Sequence, residues 1–238
     1  MQHVQTQKYD RVSLLSLAIL IVLTWGFYRT YIQFFPAFDG FQPVHHFHGV
    51  ILLLWIALLI VQPWLMSRKK HQLHKMVGKL SFVLAPLVML SIFLVSRITY
   101  YGNLQTLPTS ADAVAIISLS IPAAVIFGIL YALAVANRRR TYYHMRYMIG
   151  TGILMIGPGL GRILTANFGL PIDLGITITL VAVAFVALLF LVVDIVKKQN
   201  YVPNLIVAGL LILQSLLWEL RYTAFWQKTG EIFASVFF

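Results

Sequence analysis

Apolar residues in this chain come in long, nearly unbroken runs, near 12–34, 48–66, 80–100, 112–136, 147–166, 174–196 and 203–220, with polar residues confined to the gaps between them. Each run is long enough, at about 1.5 Å of rise per residue, to cross roughly 30 Å of hydrocarbon as a helix. The pattern predicts an all-α, polytopic membrane helix bundle of about seven transmembrane helices. The gaps are short, Pro63, Pro86, Pro108, Pro171 and Pro203 fall near run ends, and no polar or Gly/Ser-rich stretch is long enough for a linker. Residues 1–238 therefore read as one domain. The first run follows Lys8 and Arg11, carries Trp25, Phe27 and Tyr28 and lacks a small-residue cleavage site. It reads as a first span and not as a cleaved signal peptide.

Composition agrees: 60% of residues are hydrophobic and 11% charged, against about a quarter charged in a soluble domain. The formal net charge of +11 raises nucleic acid as a partner. Lys and Arg sit between the apolar runs and build no single basic face, so the expected partner is the lipid bilayer and no nucleic acid is expected. Alternate gaps carry Lys8 and Arg11; Arg68, Lys69, Lys70, Lys75 and Lys79; Arg138, Arg139, Arg140 and Arg146; Lys197 and Lys198. The positive-inside rule puts these gaps and the N-terminus in the cytoplasm. The other side holds Arg29, Arg97, Arg162, Arg221 and Lys228 with Asp39, Asp112, Asp173, Glu219 and Glu231.

There is no cysteine, which excludes disulfides, thiolate-held iron–sulfur clusters and covalently attached c-type haem. Any metal must use other donors, and the histidines stand out. His3 is in the tail; His45, His46 and His48 open the second run, His71 and His74 the third, and His144 the fifth. On a helix His45 and His48 share a face, as do His71 and His74, whereas His46 points about 100° away from His45. Two clusters result, one at each membrane face. A bis-His site for a flat macrocycle needs imidazoles converging from facing helices, and His74 with His144 meets that need on the cytoplasmic side. The two stand in a short repeat: Arg68-Lys69-Lys70, three intervening residues, then His74, and Arg138-Arg139-Arg140, three intervening residues, then His144. Neither H-E-x-x-H nor a zinc-deaminase signature is present. The outer His45-His46-Phe47-His48 run also suits copper, because imidazoles close in sequence share one ion readily.

Histidines at membrane interfaces commonly do no more than face water or headgroups; six in two clusters weigh against that reading. Arg97 and Arg162, near the outer ends of the third and fifth runs, need an anion or water. Haem propionates would match them bidentately; so would Asp112, Asp173 or Glu219. The run Gly150-Thr151-Gly152 through Gly157-Pro158-Gly159-Leu160-Gly161-Arg162 admits a planar ring or, more simply, a close helix neighbour, with Pro158 free to kink it.

Val44-His45-His46-Phe47-His48-Gly49, Trp55, Gln62, His74-Lys75-Met76-Val77-Gly78, Arg140 to Arg146 and the later Gly-Pro-Gly-Leu-Gly-Arg resemble a widespread group of uncharacterised bacterial multispanning membrane proteins. That group is similar, in its His-Gly and His-Arg/Lys helix starts, to bis-His b-type membrane cytochromes. The resemblance covers the second to fifth runs and implies His46, His48, His74 and His144 as metal ligands, in a bacterial inner membrane. The expectation is a membrane cytochrome moving electrons through two or three haem b groups, an inner one on His74 and His144 and an outer one on His48 with His46 or His45. Its electron donor and acceptor are open, quinone among them. The alternatives are a copper-handling or oxidase-assembly protein using the same histidines, and a transporter or membrane enzyme.

Overall fold

The computed structural model describes residues 2–238; His3 and the side chains of residues 2–6 and 8, Lys8 among them, lie outside the description. The helices are α1 (Gln2–Tyr28), α2 (Pro43–Ser67), α3 (His71–Gly78), α4 (Ser81–Thr106), α5 (Ser110–Ala136), α6 (Thr141–Arg162), α7 (Ile172–Val196), α8 (Val202–Glu219) and α9 (Ala224–Phe237). The described residues contain no strand. Seven helical segments are long and apolar enough to cross a membrane, one of them α3 and α4 taken together.

The sequence reading needs three corrections. α1 stops at Tyr28, and residues 29–42 form an aromatic loop with one 3-10 turn, Ile32–Phe34. α3 and α9 escaped it because neither is an apolar run: α3 is short and polar, and α9 is amphipathic and packs on α5. The glycine-rich stretch is unbroken at Pro158: α6 runs through to Arg162 and then widens into a π turn, Ile163–Asn167.

α2, α4, α5 and α6 pack in a ring, α1 covers the seam between α2 and α6, and α7 and α8 lie against α6 and α5. The centre of the ring is filled. Trp55 is 0% exposed; its indole N–H donates to Thr151 Oγ1 at 3.3 Å, and its ring meets Phe127 and Tyr131 edge-on at 4.9 and 5.6 Å. A buried indole needs such an acceptor, since lipid and core offer none.

The glycines of α6 serve helix packing. A Cβ on Gly159 would sit 2.9 Å from the Val22 carbonyl oxygen, and one on Gly26 would sit 2.8 Å from the Gly159 carbonyl carbon. α1 and α6 therefore cross backbone to backbone, as small residues permit between apolar helices, and this face has no room for a planar ring.

Candidate functional site

The doubled basic motif produces the same local structure twice. Lys70 and Arg140 are the residues just before α3 and α6, and the backbone N–H groups of His74 and His144 donate to the carbonyls of Lys70 and Arg140, each at 3.0 Å. Both imidazoles thus leave the first turn of a helix at one end of the bundle. They lie within electrostatic reach of each other and are half-buried. His71, on the turn before His74, is exposed.

Hydrogen bonds fix the ring nitrogens at this end. His144 Nδ1 lies 2.9 Å from the Ala134 carbonyl; a carbonyl only accepts, so Nδ1 carries the proton and Nε2 presents its lone pair. A metal-binding imidazole is oriented in this way. At His74 the partner is the Gln62 side chain. Its oxygen accepts from Gly78 N–H at 3.0 Å, its nitrogen donates to the His74 carbonyl at 3.2 Å, and the same nitrogen faces His74 Nδ1. Nδ1 is the acceptor there, and the neutral ring carries its proton on Nε2. An iron porphyrin held by both rings would need Nε2 lone pairs on each: His144 presents one as it stands, and His74 would present one after the Gln62 amide turns over and the ring proton moves to Nδ1.

The outer cluster does not converge. His45 caps its own helix, its Nδ1 accepting from Gln42 N–H at 3.0 Å. His46 turns into the 29–42 loop, where Nδ1 meets the Tyr31 hydroxyl at 2.5 Å and the ring packs 4.9 Å from Phe38. Burial raises the Tyr31 pKa. His48, about 200° round the helix from His46, points inward: its Nδ1 lies 2.9 Å from Ser91 Oγ. Ser91 spends its one proton on the Val88 carbonyl at 2.8 Å, so His48 Nδ1 donates and its Nε2 lone pair is free. The structure does not bring His46 and His48 together, because two helical steps turn them apart. Among the described residues no group of three His, Cys, Asp or Glu side chains gathers as a metal site.

Arg162 is within electrostatic reach of His48. It stacks 4.1 Å over Phe27 and donates to the Pro158 carbonyl at 3.1 Å. Arg97, exposed on α4, lies 5.9 Å over Tyr101 at a cavity of about 470 Å³ that Gln42 and Gln105 also line. The acids open to these arginines are engaged elsewhere: Asp173 and Glu219 reach Arg221 at 3.4 and 3.9 Å, and Asp112 accepts from Thr109 and Tyr222. Among the described residues neither Arg97 nor Arg162 has a carboxylate within ion-pair distance.

Sequence reasoning missed the one buried ion pair among the described residues. Asp194 is 1% exposed and takes two bonds from Arg146, Nε at 3.0 Å and Nη2 at 2.5 Å, and one from Asn204 at 2.7 Å. Arg146 also donates to Gln199 at 3.2 Å and stacks 3.8 Å from the Tyr142 ring. The available signal was an acid inside the apolar run 174–196, which demands a partner.

An all-helical bundle with seven potential spans and an imidazole pair at one end is the class this geometry defines. Comparison with known proteins finds no family model that matches the chain, and no curated protein and no solved structure similar to it.

Proposed function

We propose that this chain is a multi-pass protein of the bacterial inner membrane that binds haem b between His74 and His144 and passes electrons within the bilayer. Its N-terminus and its basic connections would lie in the cytoplasm, because Arg11, Arg68, Lys70, Arg138, Arg139, Arg140, Lys197 and Lys198 crowd the end of the bundle where α2, α5 and α7 finish.

The observation that carries the reading is the paired placement of His74 and His144, each in the first turn of its helix at the same end, with His144 Nδ1 tied to a carbonyl. Haem iron held by two imidazoles supplies reversible one-electron chemistry. The chain's own contribution is orientation: the Ala134 carbonyl fixes the His144 ring, and the Gln62 amide oxygen, once turned, would hold the His74 Nδ1 proton. At the other end His48 offers a second, single imidazole. Along α2 it stands 14 residues from Gln62, about 21 Å, with Trp55 midway. Arg162 beside it supplies a cation suited to a propionate. This arrangement favours one bis-His haem and a second iron site with one histidine ligand over three bis-His haems.

Copper capture draws less support, since the outer imidazoles serve as helix cap, loop contact and bundle-facing residue separately. Visible spectra of detergent-purified protein, oxidised and dithionite-reduced, with a pyridine haemochrome to count haems, test the proposal. A Soret band that His144→Ala removes or reduces by one haem supports it; colourless protein from haem-replete cells overturns it.

A further inference from the structure

α1 and α7 both pack on α6 but not on each other, and a cleft of about 470 Å³ lies between them with α6 as its floor. Its inner wall is apolar, built by Val12, Leu15, Ile149, Phe190 and Val193. Its mouth is polar and lies at the end of the bundle where Arg138, Arg139, Arg140 and Lys198 also sit. Arg146 and Asp194 at the floor neutralise each other through their two-bond contact. The charge that remains at the mouth is Arg11 from α1 and Lys197 from the end of α7, both exposed and without a carboxylate within ion-pair distance among the described residues.

We infer that this cleft is a binding site for an anionic phospholipid, the phosphate held between Arg11 and Lys197 and the first part of an acyl chain lying along Val12, Leu15, Phe190 and Val193. The cavity is of ligand-binding size, and its two halves match the two halves of an amphiphile. Apolar helix faces open to the bilayer take up acyl chains, and cations at the headgroup level select negative lipids. Two cations from separate helices, with the intervening acid already satisfied by Arg146 and Asn204, give the mouth a net positive charge that a zwitterionic headgroup does not use. The site is independent of the histidines, and the failure of either reading leaves the other standing.

Native mass spectrometry of the full chain, delipidated in detergent and titrated with phosphatidylglycerol, phosphatidylcholine or inorganic phosphate, tests this inference. One phosphatidylglycerol is expected to stay bound under activation that strips phosphatidylcholine, and inorganic phosphate alone should not compete, because the acyl wall contributes. At about fivefold per cation near a charged headgroup, Arg11→Gln with Lys197→Gln should weaken phosphatidylglycerol binding roughly 30-fold, and either single change about fivefold. Arg138→Gln with Arg139→Gln removes the same charge from the same end but outside the cleft and should have little effect. Equal retention of both lipids by the unaltered protein, which needs no variant to fold, overturns the inference. So does an equal loss in the Arg138 and Arg139 control, which would mark diffuse attraction to the basic end.

Discussion

Replacing Asp194 by alanine should damage this protein more than any surface change, and the structure says by how much. Asp194 is 1% exposed and Arg146 8%, so neither can recover water when its partner goes. Without Asp194 the guanidinium loses its one carboxylate among the described residues, keeping the Gln199 contact at 3.2 Å and the Tyr142 stack at 3.8 Å, and Asn204 loses its 2.7 Å acceptor. Removing one member of a buried pair strands the other charge, at about 3–5 kcal/mol. For a chain of this size each kcal/mol corresponds to roughly 2–4 °C, so the midpoint should fall by roughly 6–20 °C. Arg146→Ala should cost a similar amount for the mirror reason, leaving a buried carboxylate that Asn204 and Tyr142 bond but no cation balances. The double variant Arg146→Met, Asp194→Leu removes both charges and fills the space, and it should lie closer to the unaltered protein than either single change. Tryptophan-fluorescence melting in one detergent, run as a double-mutant cycle, measures all four states. A drop of under about 1 kcal/mol for Asp194→Ala, the range of an exposed pair, or full additivity in the double variant, would refute the buried-pair argument.

Gly159→Ala places a methyl group 2.9 Å from the Val22 carbonyl oxygen and should cost about 1–3 kcal/mol by overpacking, read in the same melt; Gly209→Ala, with open space around it, is the control. Gln62→Leu removes the partner that orients His74 and should weaken haem binding roughly 10–100-fold, as loss of outer-shell partners does, while Gln62→Glu, an obligate acceptor for the Nδ1 proton, should retain it; haem titration followed at the Soret band compares the three. Burial raises the Tyr31 pKa above the ordinary tyrosine value of about 10, so above that pH the folded state binds more protons than the unfolded chain and stability falls as pH rises. Melts between about pH 9 and pH 11 should show a loss that Tyr31→Phe reduces, and an identical slope in the variant would remove Tyr31 as its source.

Helix number and position were legible because one physical quantity decides them: a run of apolar residues too long for any other environment predicts a span wherever it falls, and six of the seven predicted runs match helices closely. The two short or amphipathic helices, α3 and α9, were not, since they depend on what they pack against. The equivalence of His74 and His144 was also written in the sequence, because a helix start is a local event set by the few residues around Lys70 and Arg140.

Side-chain partnership was not local. His46 and His48, two residues apart, look alike in sequence, yet the helical turn sends one to Tyr31 and the other to Ser91. The glycine run was open to a cofactor or a helix until α1 crossed it at Gly26. Arg146 and Asp194, 48 positions apart, became a pair only when α6 and α7 packed side by side. By itself the sequence determined where the long apolar helices fall and which residues could carry chemistry, since hydropathy and first-turn hydrogen bonds act over a few residues. Which partner each imidazole meets and which charges cancel was decided by tertiary packing alone, because those energies depend on distances between helices that no single segment encodes.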